Sequence, residues 1–189
     1  DYFQLLMNRK GWWIVGTVTL LAALEMARRA KANQRDNLPL KHFSRAEFGA
    51  YWPLMSLDLL TRLDAFRDAL GYPVAISSAP GAIGRPIIGG GQAESGVEKS
   101  WHNYALHGEI MAVDIHPLPP GGADAEERQR WYQLAKQVGF TGIGIYPDWN
   151  RPGMHLGGRA DRQPGRPATW AGVYRGGKQI YTNINEGFV

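Results

Sequence analysis

One aspartate constrains this chain more than any other residue. The run Ile110 to Ile115 (IMAVDI) has the length and branching of a strand, and Asp114 interrupts it. Residues two apart on a strand share a face, so Ile110, Ala112, Asp114 and His116 point one way, and Met111, Val113 and Ile115 the other. A carboxylate among apolar neighbours is costly to bury unless it is paired or bound to metal. Two readings follow: a carboxylate satisfied by a partner such as arginine, or a metal ligand.

Nearby histidines keep the second open. Of five histidines, His102, His107 and His116 cluster around this strand. His155 stands in PGMHLGG, where glycines allow close backbone approach. The chain has no cysteine. A disulfide framework, a Cys-ligated zinc site, an iron–sulfur cluster and a cysteine nucleophile are thereby excluded. Gly89 to Gly91 lack the lysine and helix start of a phosphate loop, and no serine-hydrolase elbow is present.

With 189 residues, the chain has room for one domain with its own core and for an arm. Ser44 and Glu47 form a capping box before Phe48. From about Ser56, Leu57, Leu59, Leu60, Leu63, Phe66 and Leu70 recur at helical spacing until Gly71 and Pro73. Val74 to Ser78 reads as a strand, and residues 80 to 99 as a long Gly- and Pro-rich loop of the kind that is functional or mobile. Asp124 to Val138 reads as an amphipathic helix, Gly142 to Tyr146 and Met154 to Leu156 as strands, and the end of the chain as a hairpin around Gly176 and Gly177. The expected class is α+β, with helices packed on a small, mostly antiparallel sheet.

The first forty residues differ from this body. Gly11 to Leu24 carries no charge and lies between basic flanks. Fourteen helical residues rise about 21 Å, short of a bilayer core of about 30 Å. The stretch is apolar all round, which points to burial in protein or membrane, and residues 11–27 are the expected contact. The division expected is residues 1–38, an apolar helix with its linker, and 39–189, the folded domain. Charge is also uneven. There are 21 basic and 17 acidic side chains, and the whole surplus lies beyond residue 148, so the tail at 160–189 is basic. A basic tail suits an anionic partner or a solvated surface.

Ser100-Trp101-His102 followed by Ala112-Val113-Asp114 resembles the Ser-x-His … Ala-x-Asp motif of the D-alanyl-D-alanine carboxypeptidase-type zinc peptidases. That family includes wall peptidases and bacteriophage endopeptidases and shares its fold with the Hedgehog signalling domain. FTGIGIYPDW…GMHL is similar to the stretch that brings the family's third ligand, and Phe43-Ser44…Glu47-Phe48 and Ile76-Ser77-Ser78…Arg85 also fit. The likeness spans about Leu40 to Arg159 and is closest to phage-encoded members.

The resemblance implies zinc held by His102, Asp114 and His155, with Ser100 behind the ligands and Arg85 holding a substrate carboxylate. It implies hydrolysis of peptidoglycan stem peptides, in a phage particle or at the bacterial envelope, rather than nucleic-acid binding. Trp101, Trp149 and Trp170 could wall the cleft. His102 and Asp114 are twelve apart where most members have seven, which implies an insertion near Asn103 to Gly108. His107 has the shorter spacing without the serine context, so both histidines are candidates. Pro152 and Gly157 occupy the positions where members carry a catalytic carboxylate, which leaves Asp148 and Glu109 for that role. A structural or binding component of a phage particle, retaining the fold without turnover, is the alternative.

Overall fold

A computed structural model describes residues 20–85, 100–159 and 161–189. The chain divides into two compact units, Asp1–Pro39 and Leu40–Val189. In the first, residues 20–36 form helix α1. It exposes Leu20, Leu21, Leu24 and Met26, and Arg29 pairs with Glu25 one turn away at 2.8 Å. Most of the uncharged stretch lies outside the described residues. Among those described, no helix is long and apolar enough to cross a membrane.

The second unit is α+β. Helix α2 (Arg45–Phe48) opens with the expected capping box and runs into a 3-10 turn, Gly49–Leu54. Helix α3 (Leu57–Leu70) starts after Ser56 and stops at Gly71, whose φ of 78° is left-handed. Such a backbone suits glycine and ends a helix cleanly. Strand β1 (Val74–Ile76) follows, then helix α4 (Tyr104–His107) and strand β2 (Ala112–Pro117). Helix α5 (Ala125–Val138) begins where the Asp124 carboxylate accepts the Glu127 amide at 2.8 Å. Strands β3 (Gly142–Tyr146), β4 (Gly153–Gly157), β5 (Ala168–Arg175) and β6 (Lys178–Thr182) and a terminal 3-10 turn (Ile184–Phe188) complete the chain.

The six strands form one sheet in the order β1-β2-β4-β3-β5-β6. Every neighbouring pair is antiparallel except β3 and β5. The strand expected at 110–115 starts later, at Ala112. Ile110 is already used: its amide bonds the Leu54 carbonyl at 2.7 Å, and it bridges Met55. Of the loop expected at 80–99, residues 86–99 lie outside the description.

The two faces of the sheet carry different residues, and the alternation is visible strand by strand. Val113 and Ile115 on β2, Ile143 and Ile145 on β3, and Met154 and Leu156 on β4 are fully buried. They share the core with Leu59, Leu60, Leu63 and Phe66 of α3, with Trp131 and Ala135 of α5, and with Phe140. Phe66 meets Phe140 edge to face at 6.2 Å. The terminal 3-10 turn closes this side, where a Cβ on Gly187 would come within 2.8 Å of Ile145. Each large apolar side chain buried here stabilises the fold by about 1.5–3 kcal/mol. The opposite face of the same strands presents Asp114 and His116, Gly144 and Tyr146, and His155.

Candidate metal centre

Asp114 and His155 are register partners across β2 and β4. His155 is also the partner of Gly144 on β3, and Gly144 of Trp170 on β5. Asp114, His155, Gly144 and Trp170 therefore form one row across four strands. His102 comes from a turn and completes the group. Nε2 of His102 lies 3.0 Å from Nδ1 of His155 and 3.4 Å from Oδ1 of Asp114. The same Nδ1 lies 3.0 Å from Oδ1 of Asp114. The residues are 2%, 8% and 8% exposed for His102, Asp114 and His155.

The backbone around these side chains is tied down. The Asp114 amide bonds the Ala82 carbonyl at 2.8 Å, and the Asp114 carbonyl accepts the Ser77 amide at 2.9 Å. Further along that turn, the Arg85 amide bonds the His102 carbonyl at 2.9 Å. Residues 77–85 thus hold Asp114 and His102 together. Ser100 starts the His102 turn: its carbonyl accepts the Asn103 amide at 2.9 Å, and its hydroxyl lies 3.4 Å from the His102 amide. Nδ1 of His102 lies 3.3 Å from the Ile83 carbonyl. A carbonyl can only accept, so Nδ1 carries a proton, and Nε2 is the atom turned toward Asp114 and His155.

This arrangement could hold a metal ion. Ligand atoms of all three residues lie within 4.8 Å of one another. Tetrahedral zinc with bonds of about 2.0–2.1 Å separates its ligands by about 3.3–3.4 Å, close to the distances of 3.0–3.4 Å found here. Two imidazoles and one carboxylate are also ordinary zinc donors. Burial lowers the His155 pKa, against the pull of Asp114, which keeps the ring in its neutral, ligating form. Burial also works against the Asp114 charge, but His102 and His155 outweigh it and hold the carboxyl well below its usual range.

Of the two histidine candidates, His102 joins the group and His107 does not. The residues that lengthen the spacing form α4, capped by Asn103, whose side chain accepts the Leu106 amide at 3.2 Å. His107 ends that helix and stacks on Trp101, with ring centroids 4.2 Å apart. Its buried Nε2 has no hydrogen-bond partner among the described residues.

Arg85 bonds the Gly81 carbonyl through Nε at 3.0 Å and pairs with no carboxylate among the described residues. Its charge acts on both His155 and Tyr146, so it belongs to this neighbourhood. Asp148 is exposed beyond β3, and its Oδ2 accepts the Tyr174 amide at 2.7 Å. It is not among the three residues whose ligand atoms converge. Glu109 is half-buried just before β2.

Aromatic rings flank the row, and glycines make room for them. The Trp170 ring is centred 5.0 Å from that of His155, and a Cβ on Gly144 would stand 2.5 Å from its Nε1. Trp149 lies over Gly153, where a Cβ would come within 2.8 Å, and stacks on Tyr146 at 4.0 Å. Tyr146 in turn lies over Gly172, with a hypothetical Cβ 2.4 Å from its ring. Trp149 and Trp170 are expected cleft walls from the sequence, and Tyr146 joins them in the structure. The available signal was the alternation in GIGIY, whose glycines share a face with Tyr146.

Part of the basic surplus near the end of the chain is neutralised internally. Arg175 pairs with Glu186, and Arg159 and Arg162 both meet Asp161. Comparison of the chain with protein-family models, curated proteins and solved structures gave no match.

Proposed function

We propose that the chain is a zinc-dependent peptidase acting on the stem peptides of peptidoglycan. The observation that carries this reading is the buried convergence of His102, Asp114 and His155 on one face of the sheet. Three protein ligands leave zinc a fourth position, as in catalytic rather than structural sites. The resemblance of Ser100-Trp101-His102 and Ala112-Val113-Asp114 to the wall-peptidase motif supplies the substrate class.

When bound, zinc supplies Lewis acidity toward a carbonyl and toward water. The chain does the rest. Ser100 and the Ile83 carbonyl orient His102. Arg85 offers a planar guanidinium to a substrate carboxylate. Trp149 and Trp170 flank the site. Asp148 is the carboxylate assigned to moving the proton, with an Oδ1 that accepts no bond among the described residues. The phage particle or the bacterial envelope is the proposed location. Residues 11–27 would then meet a phage structural protein or a membrane.

The test is elemental analysis of the purified chain, followed by its incubation with peptidoglycan and mass spectrometry of released peptides. About one zinc per chain and new peptide termini are expected. No zinc after reconstitution overturns the reading.

A second reading is favoured by one observation. Pro152 and Gly157 supply no carboxylate, and Asp148 is partly engaged by β5. A binding component of a phage particle would retain zinc and cleave nothing.

A further inference from the structure

Tyr146 ends β3 on the face that carries Gly144, and only 5% of it is exposed. Its hydroxyl accepts a hydrogen bond from Nε1 of Trp170 at 2.9 Å. That bond uses an oxygen lone pair and leaves the phenolic proton unspent. Among the described residues, no acceptor takes it. A buried donor without an acceptor is costly, and native folds retain few of them.

The position of this donor says what it faces. The indole that holds the phenol packs on the His155 ring. The Asp114 carboxylate and the Arg85 guanidinium both act on the phenol electrostatically. The ring cannot retreat toward the sheet, because Gly172 already lies against it. Trp149, Trp170 and Gly172 therefore fix, on the face of the sheet that carries Asp114 and His155, one O–H that no described residue accepts.

We propose that Tyr146 is a catalytic residue whose hydroxyl donates a hydrogen bond to the carbonyl oxygen of the scissile peptide bond as that oxygen gains negative charge. The inference rests on the peptidase reading above. A fixed donor aimed at developing charge, in a site shielded from water, is an effective form of transition-state stabilisation. The phenol gives a hydrogen bond and keeps its proton. Burial, and after it the Asp114 charge, push its pKa above the ordinary range. Arg85 serves a different group, the carboxylate the substrate already carries, so the two donors have separate tasks.

The test compares the full chain, loaded with zinc, with Tyr146→Phe. The ring remains on Gly172 and Trp149, so only the hydroxyl is lost. Zinc stoichiometry and near-UV circular dichroism should not change. Turnover of a stem peptide should fall by roughly 10²–10³ in kcat with little change in KM. Calorimetry with a phosphinate dipeptide, whose anionic oxygen stands in for the charged carbonyl oxygen, should show a loss of affinity of similar order. Acetate binding to the loaded chain should be unaffected. Equal phosphinate affinity and equal turnover in the two proteins overturn the proposal, and so does loss of zinc from Tyr146→Phe, which would make the residue structural. A parent chain that holds zinc but neither binds the phosphinate nor cleaves the peptide overturns the peptidase reading itself.

Discussion

The α-carbon of Gly144 faces the indole of Trp170 so closely that a Cβ there would stand 2.5 Å from Nε1. The indole in turn covers the ring of His155, the register partner of Gly144. A glycine in mid-strand ordinarily weakens a sheet. Here it makes the space that sets the side wall of the candidate metal centre.

Gly144→Ala should therefore push the indole off His155. Overpacking of this kind costs about 1–3 kcal/mol. The expected outcome is a lower melting temperature together with weaker zinc binding, measured by thermal unfolding and by competition with a chelating dye. Unchanged values for both would show that the slot is not tight.

His102→Ala should abolish zinc binding, and His107→Ala should leave about one zinc per chain. The first removes one of three converging ligand atoms. The second removes a ring that stacks on Trp101, outside the converging group. Elemental analysis of both variants decides the matter.

Zinc should stabilise the fold, because the group converges only when β2, β4 and the His102 turn are assembled. At a free zinc concentration 100 times the dissociation constant, the gain is about 2.7 kcal/mol. A chelator should lower the melting temperature of the parent chain and leave that of Asp114→Asn unmoved. A parent insensitive to chelator argues against a bound ion.

Without zinc, stability should fall as the medium becomes acidic. Burial lowers the His155 pKa from an ordinary 6.5, so below that pH the unfolded chain binds a proton the folded chain resists. The Asp114 carboxyl is held below its ordinary 3.8 by the two histidines, so its contribution is present above that value and is lost further down. Both effects have the same sign. Melting temperatures measured from pH 7 to pH 5 should decline in the parent and decline less in His155→Gln.

Arg85→Ala should raise KM for a stem peptide that ends in a free carboxylate. Loss of a charge-assisted hydrogen bond is worth about 1.5–3 kcal/mol, or roughly tenfold to a hundredfold. The same change should have little effect on a substrate whose carboxylate is amidated. An equal loss on both substrates would show that Arg85 holds something else.

Much of this architecture is legible in the sequence, for a local reason. Alternation along AVDIHP, GIGIY and GMHLG separates a core face from a site face without any knowledge of the partners, and it assigns Asp114 and His155 to strands. The Ser44 capping box and the Gly71 stop mark helix ends through short-range hydrogen bonds and backbone sterics. Less local features stay hidden. The parallel pairing of β3 with β5 joins segments some 25 residues apart and leaves no local mark. His102 is marked over His107 by the serine two residues before it, but that the intervening residues fold as α4, an excursion between His102 and β2, has no such mark. Tyr146 reads as an ordinary strand aromatic until Gly172 and Trp170 are seen against it.

His102 differs from its two companions in how it is held. Asp114 and His155 sit on adjacent strands in the middle of the sheet, and separating them means tearing the β2–β4 ladder. His102 sits in a turn anchored by its carbonyl to Arg85, by Ser100, and by one ring contact to Ile83. A rearrangement of that turn alone removes one corner of the triangle and leaves the other two residues in place. An ion held by this group would be expected to exchange stepwise, His102 last on and first off, because the sheet keeps Asp114 and His155 paired throughout.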